Sequence, residues 1–251
     1  MIRTDGYGRQ FEEIGSPYGD VRKGITHFVP DLDALDDYQL RVWAQANREP
    51  LGWDVKGKTP AAYMHDGLVE ETSEPWDADR VNPGYNRMGS LLREIGQAGQ
   101  GNFFPGEITS SAIELHQKEF GDVSWYLMNR LALDGIVASG AVERGIHAYR
   151  THAEEFAPGF HAFFEDALPG MMYMAYSSDA VFASEAAMKE PNDATIEKLA
   201  EKAGVLIMMM SELVQARLDT TYEEVLAQNI AKIEKRIANN TVFDKTGGDA
   251  R

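Results

Sequence analysis

The sequence predicts an all-α fold, a bundle of helices. Apolar residues recur at the helical period over several long stretches, and prolines and glycines cluster between those stretches rather than within them. Strand signals are sparse; "NTVFDK" at 240–245 is the best of them and is short. The chain has 251 residues, 43% of them hydrophobic, enough to bury a sizeable core.

Residues 1–31 show little periodicity and read as an irregular N-terminal arm. "DLDALDDYQLRVWAQANRE" (31–49) predicts a helix. Its aspartates crowd the start, where the helix dipole favours negative charge, and Leu40, Trp43 and Ala44 form the expected apolar face. After a Pro- and Gly-broken loop, "PAAYMHDGLVEETSE" (60–74) predicts a second helix, with Pro60 suited to its first position and Pro75 limiting it. "RMGSLLREIGQAG" (87–99) is a weaker helical segment that ends in glycine. A long helix is expected from about Ala112 to Leu133, with Val123, Tyr126, Leu127 and Leu131 facing the core. Further helices are expected at about 141–156, 160–167, 169–189, 194–218 and 222–238. "IMMMSEL" (207–213) is apolar nearly all round, which makes its helix central.

The net charge of −16 opposes binding of a nucleic acid polymer. The chain has no cysteine, so disulfides and thiolate metal sites are excluded, and any metal must sit on carboxylates, imidazoles or carbonyls. No apolar run reaches the roughly 18 residues of a membrane span. The start, "MIRTDGYGRQFEEIG", lacks the apolar region of a signal peptide, so a cytoplasmic protein is expected.

Two carboxylate pairs stand out. Glu119 and Asp122, in "QKEFGDVSWYL", are spaced i, i+3, as are Glu71 and Glu74 in "GLVEETSE". On a helix such residues share a face, with Cβ atoms roughly 5–6 Å apart. Two facing helices carrying such pairs would converge four carboxylates, whose repulsion divalent cations would relieve. A solvated helix face is the alternative for either pair. The histidines, His27, His65, His116, His147, His152 and His161, are scattered without ligand spacing. No Glu-x-x-His is present, which argues against a di-iron carboxylate bundle. "KEFGDVSWYLMNRL" (118–131) overlays on "AEKAGVLIMMMSEL" (200–213), placing Glu201 on Glu119 and Gly204 on Asp122. The overlay reads either as an internal duplication that lost an acid or as chance likeness of two amphipathic helices.

Together, "DDYQ" (36–39), "GLVEETSE" (67–74), "EFGDVSWYL" (119–127), "NIAKIEKR" (229–236) and the final "NNTVFDKTGGDAR" resemble the MazG-like all-α nucleotide pyrophosphohydrolases, in order, from about residue 32 to the end. The resemblance implies a helical bundle that binds Mg²⁺, or Mn²⁺, through Glu71, Glu74, Glu119 and Asp122. It implies hydrolysis of a nucleoside triphosphate to the monophosphate and pyrophosphate. Asn229, Lys232 and Arg236, spaced along one helix face, would contact the phosphates, with Lys245 and Arg251 as further candidates. Trp125 or Tyr126 would stack on a base or pack in the core, and Gln39 and Trp43 are candidate base contacts. The interval from Glu74 to Glu119 is longer than the family shows, which implies an insertion around 75–92; in an alternative register Glu94 and Gln97 replace the first pair. The expected organisation is an arm at 1–31, a helical unit with the metal site at 32–140, and a second unit at 141–251. That second unit would be a degenerate copy forming a tandem pseudo-dimer, as in dimeric-type dUTPases. A homodimer or higher homo-oligomer is expected unless the duplication satisfies that pairing within one chain. A non-catalytic nucleotide-sensing or oligomerisation module with the same fold is the competing expectation.

Overall fold

The computed structural model describes residues 2–4, 10–12, 29–47, 57–74, 110–160, 168–218 and 220–239. Among them the fold is all-α, as the periodicity predicts. The helices are α1 (Leu32–Ala46), α2 (Pro60–Glu71), α3 (Ser110–Leu133), α4 (Ala138–Phe160), α5 (Leu168–Lys189), α6 (Asp193–Arg217) and α7 (Tyr222–Ala238). The arm expected to be irregular carries a short antiparallel hairpin, β1 (Ile2–Thr4) with β2 (Gln10–Glu12), in which Arg3 pairs with Phe11. The predicted strand at 240–245, the predicted helix at 87–99, residues 161–167, and Glu94, Gln97, Lys245 and Arg251 lie outside the described residues.

Helix ends follow local chemistry. Asp31 caps α1 by accepting from the backbone N–H groups of Asp33 and Ala34. Asn192 with Thr195, and Thr221 with Glu224, form reciprocal capping boxes at the starts of α6 and α7. At the end of α3, Gly135 adopts φ +71°, and Gly135 N–H and Ile136 N–H return to the carbonyls of Ala132 and Leu131. The start of α4 is capped from α1: Ala138 N–H donates to Gln39 Oε1 at 2.9 Å and Ser139 N–H to Asp36 Oδ1 at 2.8 Å.

Helix α3 packs against α1, α2 and α7, while α6 packs between α4 and α5; contacts of α1 with α4, α2 with α5, and α3 with α6 join the two sets. The methionine run of α6 is central, as expected, with Met208, Met209 and Met210 all buried. The predicted face of α1 is wrong. Leu40 is 69% exposed and Ala44 is exposed, while Leu35, Tyr38, Gln39, Val42, Gln45 and Ala46 are buried. The buried stripe admits Gln39 because its Nε2 donates to the carbonyls of Met128 and Ile136 and its Oε1 is taken by Ala138. Gln39 therefore joins α1, α3 and α4 through its amide.

A fully buried Arg130 ties α3 to α5. Its Nη1 pairs with Asp134 Oδ2 at 2.5 Å and its Nε donates to Ser184 Oγ at 3.1 Å. Ser184 Oγ also lies 3.2 Å from His65 Nδ1, which brings in α2. Removing Asp134 strands the buried guanidinium, so Asp134→Ala is expected to cost about 3 kcal/mol, read as a lowered urea midpoint. No described helix is long and apolar enough to cross a membrane.

Candidate metal centre

The close approach of α2 to α3 builds the site. Gly67 makes it feasible: a Cβ there would stand 2.0 Å from the Tyr126 ring, so only glycine lets that ring lie against α2. Tyr63 of α2 packs on the same ring at a centroid distance of 6.1 Å. This contact brings the last residue of α2, Glu71, to the Glu119–Asp122 face of α3. Ligand oxygens of Glu71, Glu119 and Asp122 all lie within 4.8 Å of one another.

Three of the four predicted acids therefore converge, and the fourth, Glu74, stands beside Glu119. Helix α2 ends at Glu71, and the chain tightens there: Ser73 N–H bonds the Glu70 carbonyl, while Thr72 Oγ1 donates to the Leu68 carbonyl at 2.7 Å and Ser73 Oγ to that of Glu70 at 2.7 Å. Glu74 lies one turn past the end of α2, near enough to Glu71 and Glu119 for its charge to raise the proton affinity of both.

Burial and mutual repulsion set the electrostatics. Glu119 is 4% exposed, and its Oε2 has no hydrogen-bond partner. Lys118 Nζ stands 3.6 Å from its other oxygen. Burial first, opposed by Lys118, and then the charges of Glu74 and Asp122 push the Glu119 carboxyl up to about 7. Glu71 is pushed up to about 8 by burial, then by Asp122, Glu74 and Glu119, against a lowering effect of Lys232.

Asp122 is held from α7. Asn229 Nδ2 donates to Asp122 Oδ1 at 2.9 Å, and Lys232 Nζ donates to both carboxylate oxygens. Tyr38 of α1 fixes the Asn229 amide by donating its hydroxyl to Oδ1 at 2.9 Å. Gly121 gives Asn229 room, since a Cβ there would meet the Asn229 Cβ at 3.0 Å. The i, i+3 spacing that marked Asn229 and Lys232 as phosphate contacts thus places both on Asp122. Arg236 is half-buried one turn further along α7. Tyr38 is the participant the sequence did not disclose; its partner lies 191 residues away.

The residues fit a hard divalent ion. All donors are oxygens, and around an ion with bonds of about 2.1 Å, opposite ligands stand about 4.2 Å apart, close to the spread of these three carboxylates. The buried, unpartnered Glu119 oxygen is the kind of group that a ligand or ion completes. At the overlaid positions of α6, Glu201 pairs with Lys202 at 3.0 Å and Gly204 meets the backbone of α4, so the acid cluster is not repeated there. No family model, curated protein or solved structure matches this chain.

Proposed function

We propose that the chain is a Mg²⁺- or Mn²⁺-dependent nucleoside triphosphate pyrophosphohydrolase of the MazG-like type, acting in the cytoplasm on an NTP or dNTP. The observation that carries the reading is the convergence of Glu71, Glu119 and Asp122 around a buried carboxylate oxygen with no partner. The resemblance of the acidic motifs adds the substrate class and the pseudo-dimeric arrangement of units 32–140 and 141–251.

In this reading Glu71, Glu119 and Asp122 hold the ion, with Glu74 beside Glu119. The ion would acidify the attacking water and offset charge building on the phosphoryl oxygens. Asn229, fixed by Tyr38, orients Asp122. Lys232 neutralises Asp122 and would turn to a phosphate oxygen where an ion takes that carboxylate, while Arg236 extends the cationic face. Glu71, by its position at the end of α2 facing the other two acids, is the carboxylate assigned to accept the proton of the attacking water. The pairing of Lys232 with Asp122 favours a second reading, a metal-free sensing module in which the lysine permanently replaces the ion.

The test is to incubate the chain with each NTP and dNTP and Mg²⁺ or Mn²⁺, then measure monophosphate and pyrophosphate. Asp122→Ala is expected to lower turnover by at least about 100-fold, and Asn229→Ala, which loosens a ligand without removing it, by about 10–100-fold. Turnover unaffected by Asp122→Ala contradicts the site; no turnover on any nucleotide leaves the sensing module.

A further inference from the structure

The polar tie among α2, α3 and α5 has a fixed direction. Arg130 Nε can only donate, and it donates to Ser184 Oγ at 3.1 Å. Ser184 Oγ lies 3.2 Å from His65 Nδ1, the one acceptor it meets among the described residues for its own proton. The hydroxyl therefore donates to Nδ1, which fixes His65 as the neutral Nε2–H tautomer. Arg130 and Ser184 are fully buried, and His65 is 8% exposed.

Protonation of His65 breaks this arrangement. Nδ1 would carry a proton aimed at Ser184, and the buried hydroxyl proton would lose its acceptor. A second cation would also stand near the Arg130 guanidinium, whose own anion, Asp134, is already engaged. The other charges facing the ring are taken as well: Asp66, the next residue of α2, pairs with Lys58, and Glu185 of α5 pairs with Lys189. Burial holds the His65 proton affinity below that of an exposed imidazole; Arg130 and Lys189 add to this, and Asp66 and Glu185 oppose it.

Helix α2 depends on such ties. Its 12 residues are marginal as an isolated helix in water. Met64 and Leu68 are its fully buried apolar anchors. Helix α5 supplies two polar ones, Ser184 to His65 and Tyr173, whose hydroxyl donates to the Thr72 carbonyl at 3.3 Å. We infer that His65 is an acid-released catch on α2: neutral, it takes the Ser184 proton and holds the helix to α3 and α5; protonated, it lets α2 open and carry Glu71 away from Glu119 and Asp122. Its contribution to closure is fully present above about pH 6.5 and is lost as pH falls through the lower value of the folded protein. The catch is distinct from the chemistry proposed for the acids and stands whether or not they turn over a nucleotide.

The experiment uses the full chain without metal. In nitrogen spectra of the imidazole rings, His65 is the signal missing from His65→Gln. It is expected as the Nε2–H tautomer, protonating below pH 6.5. Amide hydrogen exchange then compares wild type and His65→Gln at pH 7 and pH 5. Glutamine keeps an oxygen for the Ser184 hydroxyl and has no proton to gain. Glu71 and Glu119 favour the closed helix as pH falls, but they do so in both proteins, so the comparison isolates His65. From pH 7 to pH 5, protection of α2 is expected to fall several-fold relative to the variant. The limit is about 30-fold, set by an imidazole of ordinary proton affinity. Protection of α7 should show no such difference. An Nδ1–H tautomer in the wild type overturns the catch, and that observation needs no variant to fold. Protection of α2 that changes alike in both proteins overturns it too, as does a difference shared equally by α7, which would report global unfolding.

Discussion

Gly204→Ala is expected to cost at least about 3 kcal/mol and to shift the urea unfolding midpoint accordingly. A Cβ at 204 would stand 1.9 Å from the Ala141 carbonyl oxygen, and one at Gly145 would stand 2.3 Å from the backbone of Gly204 and Val205. These obstacles are backbone atoms, with no flexible side-chain end to swing aside. The α4 and α6 axes would have to separate, opening the interface in which Tyr149 meets Met209, and overpacking without room to relax is severe. Gly145→Ala should behave alike. Because the two glycines touch, the double variant should cost less than the sum of the single changes. An unchanged midpoint for Gly204→Ala would mean that the helices do not cross there.

Glu71→Gln is expected to stabilise the metal-free protein at pH 8 by about 2–4 kcal/mol while abolishing its response to Mg²⁺. Burial and three neighbouring acids raise the Glu71 carboxyl from 4.5 to about 8. The folded state therefore holds a proton that the unfolded chain has lost. Its contribution to stability is fully present below about pH 4.5 and is lost as pH rises through about 8. Glu119, raised to about 7, acts in the same direction. Without metal, the contribution of these two acids to the wild-type melting temperature should fall between pH 5 and pH 8, and saturating Mg²⁺ should restore it at pH 8 by binding the ionised carboxylates. Glutamine carries no proton to lose and is a poor ligand, so the variant should show neither the loss nor the rescue. Melting curves at both pH values, with and without Mg²⁺, read all of this. A Glu71→Gln variant less stable than the wild type at pH 8 would mean that the cluster is not strained by its charges.

Much of this was legible because it is local. The period of α3 predicts its buried Val123, Leu127 and Leu131, and the i, i+3 spacing predicts that Glu119 and Asp122 share a face. What escaped depended on distant partners or side-chain competition. Tyr38 and Gln39 count as polar in any local pattern, yet they turn inward because Asn229, Met128 and Ile136 receive them. Glu74 follows Glu71 at helical spacing, but α2 ends at Glu71 and a tighter turn at Thr72 and Ser73 precedes Glu74. Lys232 reads as a phosphate contact from its place beside Asn229, and nothing in the linear pattern says that Asp122 claims it when no ion is bound. Gly204 reads as a lost acid in an overlay. The small residues Ala141 and Gly145, spaced by four, were the overlooked signal of a close helix crossing.

The central claim is that Glu71, Glu119 and Asp122 close on one divalent cation, and its most direct test is the anomalous scattering of a crystal of the full chain soaked in Mn²⁺. A single strong peak bonded to those carboxylates at about 2.1–2.2 Å, with Lys232 moved off Asp122, is the predicted result. Lys232 still gripping Asp122 at saturating Mn²⁺, with no peak among the three acids, would contradict it.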